Sequence, residues 1–365
     1  MPLAISSYER VQTLADAPGL LNLAWTIDES ELLAVDPRSI VAMALETELR
    51  DGLPYVRSYL VKDPYGEELL GPSVAAFFAR SGWSCGVTCG AGVISLLHAL
   101  ARLAQGKPTY IVGDVYPDFP CWVERSHGRC ATASELDVAE HARRAAAIGA
   151  ALVFVERPSL MGDRCAELAE VETLCAGMAA GGALVVVDES NANYYPAAFS
   201  AVNLAGDVPN LAVLRGFSKA YGMGGLRLAY CVTSPAWTER VRALVPPLLA
   251  ASLSLKVGRG LLEQGDVAAP LRLRIKEQKA ETRAILARAG IGGLLSSSEH
   301  LPYVFSSESP EDMRSRLESR GVLGKVHAVW SGATADVTYL YRLSAPLRRE
   351  RMELLRQRLG AGGRG

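Results

Sequence analysis

Between two apolar runs, residues 211–214 and 228–232, the chain places Ser218 and Lys219, then Gly222, Gly224 and Gly225, then Arg227 eight positions after the lysine. A lysine with a hydroxyl beside it, glycines behind it and an arginine further on is equipped to hold an anion and to condense with a carbonyl. Other strand-like runs end in matching parts. Gly90, Ala91 and Gly92 precede a helical pattern, so amides at the helix start can cradle a phosphate. Tyr116, within residues 114–117, offers an aromatic plate, and Asp188 follows the aliphatic run 183–187. A phosphate cradle, a plate, an aspartate and a lysine suit a phosphorylated pyridine aldehyde. The lysine forms the Schiff base, and the aspartate keeps the ring nitrogen protonated so that the ring accepts electrons.

Such parts converge only if the segments before them lie side by side. Apolar runs at 86–89, 109–112, 151–155, 183–187, 211–214 and 228–232 alternate with helical patterns at 93–104, 138–148 and 166–180. That alternation predicts an α/β fold, a mostly parallel sheet with helices on both faces. Ligands of such sheets bind outside the carboxyl ends of the strands. The arrangement predicts a large domain over 51–247. An arm over 1–50 precedes it, with a helix at 37–49 capped by Asp36, and it packs with a smaller α+β domain over 248–360. In that smaller domain a long helix is expected at 253–289, strands at 303–306 and 337–343, and helices at 310–320 and 346–359. The glycine-rich residues 361–365 read as a disordered tail.

The chain has 365 residues, about half of them apolar, with 38 basic against 39 acidic side chains. Balanced charge without like-charge runs excludes a nucleic-acid groove and an anionic membrane surface, leaving a small molecule as the partner. Seven scattered cysteines form neither a disulfide framework nor a metal pattern, so no metal is expected. Without a signal peptide or a spanning run, the expected compartment is the cytoplasm. His98, His127, His141, His300 and His327 lack partner spacing and read as packing or surface residues.

The segment from Ser218 through Arg227, with the strand-end residues above, resembles the fold type I pyridoxal-phosphate aminotransferases, in particular the branch that includes histidinol-phosphate aminotransferase. The similarity runs from about Asn22 to the C-terminal helix. It implies pyridoxal 5'-phosphate as cofactor, Lys219 as the Schiff-base lysine and proton shuttle, and Ser218 and Arg227 as phosphate ligands. Gly90, Ala91 and Gly92 match the phosphate loop, Tyr116 the residue stacked on the ring, and Asp188 the partner of the pyridine nitrogen. Arg342 resembles the arginine that pairs with the substrate α-carboxylate, a bidentate task suited to guanidinium. Asn22 to Trp25 resembles the arm segment that closes over substrate. Tyr59, or with another gap Tyr65, resembles the tyrosine that reaches the phosphate in the neighbouring subunit, which implies a homodimer with shared active sites.

Two positions depart from the pattern. Where the family reads Ser-Pro-Asn-Asn-Pro-Thr-Gly, this chain has Arg157, Pro158, Ser159, Leu160, Met161, Gly162 and Asp163, without the asparagine that bonds the ring hydroxyl. Where the family has tyrosine three residues after the aspartate, it has Asn191. We expect Asn191, with Ser159 or Tyr194, to supply that contact. The expected function is amino transfer from an L-amino acid. The alternatives are a pyridoxal-phosphate cyclase or lyase, for example elimination and ring closure of an arginine derivative, and a decarboxylase. A rival outside this class reads Gly90 to Gly92 with Asp114 as a dinucleotide turn of a nicotinamide oxidoreductase, but Ser95 stands where the third glycine belongs.

Overall fold

The computed structural model describes residues 19–80, 82–133, 137–159 and 165–360. Its first strand, β1 (Leu21–Asn22), leads through a short 3-10 turn to α1 (Pro37–Arg50), where the Asp36 carboxylate accepts from the Arg38 amide as the N-cap. Then follow α2 (Pro54–Arg57), α3 (Glu67–Phe77), β2 (Gly86–Gly90), α4 (Val93–Ala101), β3 (Pro108–Val112), α5 (Asp118–Arg125), β4 (Arg129–Ala131), α6 (Val138–Ala147), β5 (Leu152–Glu156), α7 (Leu168–Ala179), β6 (Leu184–Asp188), β7 (Leu211–Gly216), β8 (Ala229–Thr233) and α8 (Pro235–Arg242). These strands form one seven-stranded sheet in the order β2-β8-β7-β6-β5-β3-β4, parallel except for β8, which runs antiparallel to both of its neighbours.

Alternation along the central strands explains why the sheet is covered twice. Val153, Val155, Val185 and Val187 join one apolar cluster with residues of α1, α3, α6, α7 and α9 (Ser252–Leu262). Leu152, Phe154, Leu184 and Val186 join a second with residues of α4, α5 and α8. A strand buried on both faces needs apolar side chains in both registers, which is the near-continuous pattern seen in the sequence. The α/β sheet expected from the sequence is therefore the one observed.

The remaining chain forms α10 (Ala269–Arg288), β9 (Tyr303–Ser306), α11 (Pro310–Glu318), β10 (Val322–Leu323), β11 (Lys325–Ser331), β12 (Asp336–Ser344) and α12 (Arg349–Gly360). The single helix expected over 253–289 is two, α9 and α10. Gly265 at φ +72° ends one, and Pro270 sits in the first turn of the other. Strands β1, β4, β10 and β11 and helices α2, α5 and α8 are not among the elements expected from the sequence. β11, β12 and β9 make a three-stranded antiparallel sheet, and β1 pairs in parallel with β10. The Asp28 carboxylate, bonded to Arg351 at 2.9 Å and Arg348 at 3.0 Å, fixes the arm to α12. The expected tail, 361–365, and residues 1–18 of the arm lie outside the described residues. No described helix is long and apolar enough to cross a membrane.

Candidate active site

The carboxyl ends of β5, β6 and β7 are tied together by a buried ion-pair triad. Glu189, just after β6, accepts from Arg157 after β5 at 3.1 Å and from Arg215 in β7 at 2.8 Å. All three side chains are almost wholly buried; Glu189 is shared by the two guanidiniums, which also donate to the Phe199 carbonyl and to Asn193 Oδ1, and none of the three lines the site. The guanidinium of Arg157 also stacks on Phe199, 3.7 Å from the ring centre. With these strand ends locked, the neighbouring positions point the other way, into a cavity of about 420 Å³.

Lys219, Ser218, Arg227, Asp188, Asn191 and Tyr116 all line that cavity, as do Arg342 and Trp25. Eight residues singled out in the sequence thus meet in one place, contributed by the sheet edge, the arm and β12. Gly90, Ala91 and Gly92 lie behind Arg227, whose Nη2 donates to the Ala91 carbonyl at 3.0 Å. Gly92, at φ +81°, caps α4, and Val93 and Ile94 of that helix line the cavity. Asn22 does not reach the cavity. It is buried in β1, where its Oδ1 accepts from the Ala24 amide at 3.1 Å. Tyr59 is 83 % exposed and lies outside the cavity of its own chain. Tyr65 packs at home, its hydroxyl donating to the Arg242 carbonyl.

Of the three candidates for the ring-hydroxyl contact, only Asn191 faces the cavity. Its Oδ1 is buried without a hydrogen-bond partner among the described residues. Tyr194 is turned away, its hydroxyl donating to Glu29 Oε1 at 3.0 Å, and Ser159 is not part of the lining. Leu160 lies outside the described residues. Asp114, the ribose candidate of the nicotinamide reading, lines the cavity and accepts from the Gly332 amide at 3.0 Å.

Several cavity residues were missed. Glu156 ends β5 directly beside Asp188 at the end of β6, and its Oε1 accepts from the Tyr116 amide at 2.5 Å. Burial and the adjacent Asp188 charge push Glu156 up to about 8, and burial pushes Asp188 up to about 6. Lys325 and His327 of β11 also line the cavity, which corrects the reading of His327 as a packing or surface residue. Burial, with Arg342 and Lys219 nearby, lowers Lys325 to about 5 and drives His327 down as well. The Lys325 Nζ lies 4.0 Å from the centre of the Trp25 ring. Arg342 donates to the Ala24 carbonyl at 2.8 Å, with its guanidinium 4.6 Å from the centre of the Tyr303 ring. The other histidines are elsewhere: His141 bonds the Tyr110 hydroxyl, His98 packs edge-on against Trp122, and His300 lies against Tyr195.

The cavity therefore brings the carboxyls of Asp188, Glu156 and Asp114 at the sheet ends together with the cations Arg227 and Arg342. Such a site can orient a zwitterion, hold a phosphate at Arg227 and bring an amine nucleophile, Lys219, between them.

Comparison with known proteins bears on the family and the fold. Histidinol-phosphate aminotransferase of Chromobacterium violaceum is 30 % identical over 175 residues, 48 % of this chain and 47 % of that protein. Threonine-phosphate decarboxylase of a Sinorhizobium species is 28 % identical over 203 residues, 55 % of this chain and 57 % of that one. The matches thus span about half the length of these curated relatives. The crystal structure of histidinol-phosphate aminotransferase from Sinorhizobium meliloti in complex with pyridoxal-5'-phosphate superposes with a TM-score of 0.70 at 22 % identity, covering 88 % of this chain and 86 % of that one, a likeness of fold. Residues 64–332, well over half the chain, match the aminotransferase class I and II family, and the chain belongs to that family.

Proposed function

We propose that the protein is a pyridoxal-phosphate-dependent aminotransferase acting on an L-amino acid. The observation that carries this reading is the meeting of Lys219, Asp188, Arg227 and Arg342 on one cavity. The residues present suit the cofactor. The absence of a side chain at Gly92 lets the Arg227 guanidinium lie against the start of α4, Asp188 lines the cavity at the end of β6, and the unpartnered Oδ1 of Asn191 is an acceptor for a ring hydroxyl. Pyridoxal phosphate would supply a carbonyl that condenses with amines and a ring that takes up an electron pair.

The chain's own residues do the rest. Arg227, Ser218 and the amides at Gly90 to Gly92 hold the phosphate, and Tyr116 covers the ring face. The Asp188 carboxylate keeps the proton on the ring nitrogen. Arg342 takes the substrate α-carboxylate, which orients the α-hydrogen toward the Lys219 amine. That amine would remove the proton and, for amino transfer, deliver it to the carbon that the cofactor's carbonyl supplies. Trp25 and the arm behind it exclude water from this side.

The reading includes a homodimer in the cytoplasm, with Tyr59 reaching the other subunit's phosphate. Support for the dimer comes from the apolar side chains that α1, α2 and the next turn leave exposed: Met43, Leu45, Leu49, Val56 and Val61. It also keeps the division at about residue 248 into large and small domains.

A second reading, elimination with ring closure or decarboxylation on the same cofactor, is favoured by Asn191, which alone of the expected ring-hydroxyl candidates faces the cavity. One experiment separates the two. Purified protein is mixed with a panel of L-amino acids, arginine derivatives included, and 2-oxoglutarate, and the products are read by mass spectrometry. Glutamate with a new 2-oxo acid is the expected outcome. Carbon dioxide, ammonia or a cyclised product without glutamate would establish the second reading. A colourless protein in which borohydride traps nothing on Lys219 would overturn both.

A further inference from the structure

Glu156 has no role in the function just described, yet its place in the fold is as specific as that of Asp188. The two residues pair in register at the last position of adjacent parallel strands, so their side chains leave the sheet on the same face, about one strand spacing apart. Both open on the cavity, with Glu156 8 % and Asp188 3 % exposed. The next positions, Arg157 and Glu189, pair with each other and with Arg215 and do not line the cavity. No ion pair with Glu156 is present among the described residues. Asp188 accepts from the Ser190 amide at 2.8 Å and Glu156 from the Tyr116 amide. The charged groups that face Glu156 are Asp188 from β6, Lys219 from the segment after β7 and Asp114 from the segment after β3. Three carboxyls thus share one amine. Two neighbouring buried carboxyls cannot both ionise without a large electrostatic penalty, and the stable arrangement keeps one proton between them.

We propose that Glu156 is a positioning residue of the cofactor site: it stays protonated beside an ionised Asp188, the two holding one proton, while its Oε1 fixes the backbone of Tyr116. This rests on the pyridoxal-phosphate reading for its purpose. A neutral neighbour leaves Asp188 as a single negative charge for the ring nitrogen, and the anchored amide sets the height of the aromatic plate above it. The raised affinity of Glu156 for its proton agrees with this placement. Because the pair is coupled, its protons leave in two steps that belong to both groups.

The test uses the purified protein with its cofactor, labelled with carbon-13 at the glutamate side-chain carboxyls. The result expected is one resonance, missing from Glu156→Gln, that titrates above pH 7 and moves down toward the ordinary range in Asp188→Asn. Glutamine keeps the acceptor for Tyr116 but has no proton to lose. Glu156→Gln should therefore bind pyridoxal phosphate nearly as wild type does while lacking the resonance that titrates above pH 7. Glu156→Ala loses the acceptor and should bind it about tenfold more weakly. A wild-type Glu156 resonance titrating near pH 4, or one that Asp188→Asn leaves unmoved, would overturn the proposal. Should Glu156→Gln fail to fold, the response of the high-titrating resonance to Asp188→Asn decides alone. A colourless protein with the high-titrating resonance intact would sink the cofactor reading and leave the proton-sharing pair standing.

Discussion

The guanidinium of Arg227 occupies the space that a side chain at Gly92 would need, so that a Cβ there would overlap Nη2 and the guanidinium carbon. Gly92 also sits at φ +81°, where L residues are strained. Arg227, itself in the left-handed region at φ +49°, is held against the start of α4 by its bond to Ala91. Gly92→Ala should leave the sheet folded, as circular dichroism would record, because the change lies beyond the end of β2. It should weaken pyridoxal-phosphate binding by about tenfold or more, the loss of one charge-assisted contact to phosphate. Fluorescence titration of the cofactor-free protein checks this, and unchanged affinity would place the phosphate elsewhere.

Lys325 stands directly across the β11–β12 ladder from Arg342, and burial with that guanidinium nearby lowers it to about 5, so at pH 7 the ligand-free protein holds it neutral. The unfolded chain would carry the charge, so folding loses stability by keeping the amine unprotonated. No ion pair to Lys325 is present among the described residues, so an anionic ligand is what lets it charge. Lys325→Met should raise the unfolding free energy of the ligand-free protein by roughly 1 kcal/mol or more while raising KM for the amino acid. Because Lys325 is lowered to about 5, anion binding at neutral pH should also take up a proton, which titration calorimetry in buffers of different ionisation enthalpy would read.

Glu29 in the arm is wholly buried, and burial holds it up at about 7 from the ordinary 4.5. The folded state thus binds this proton more tightly than the unfolded chain. Its contribution to stability is full below about 4.5 and is lost as pH rises through about 7. Glu29→Gln keeps an acceptor for the Tyr194 hydroxyl and has nothing to ionise. At pH 8 it should be more stable than wild type by on the order of 2 kcal/mol, with the difference shrinking toward pH 5. Urea unfolding at both values checks the sign.

The residues most legible in the sequence, Lys219 and Asp188, each follow an aliphatic run that can only be a doubly buried strand, so strand, end and chemistry were readable together. Glu156 ends such a run as well, but a glutamate before Arg157 and Pro158 reads equally as a turn residue, and only the pairing of β5 with β6 sets it beside Asp188. Lys325, His327 and Val329 reach the cavity through the two-residue period of β11. That alternation is present in the sequence, yet a strand with a lysine and a histidine on one face looks like an exposed edge until the cavity is seen. The break between α9 and α10 is marked in the sequence by Gly265 and Pro270, and a single helix over 253–289 overlooks both. Register carries what spacing does not: that Glu156 lies beside Asp188, or Lys325 opposite Arg342, follows from strand order.

Tyr59 separates a site complete within one chain from a shared one. It is almost fully exposed in a stretch where Val56 and Val61 are exposed too, beside Leu49 at the end of α1. Apolar side chains gathered this way are stable in water only when another surface covers them. Light scattering should give twice the chain mass, and Leu49→Asp with Val61→Asp should shift it toward the monomer. Tyr59→Phe should leave the dimer intact and weaken pyridoxal-phosphate binding several-fold, about 1 kcal/mol for one hydroxyl-to-phosphate hydrogen bond. If the monomeric double variant bound the cofactor as tightly as wild type, Tyr59 would have no part in the site.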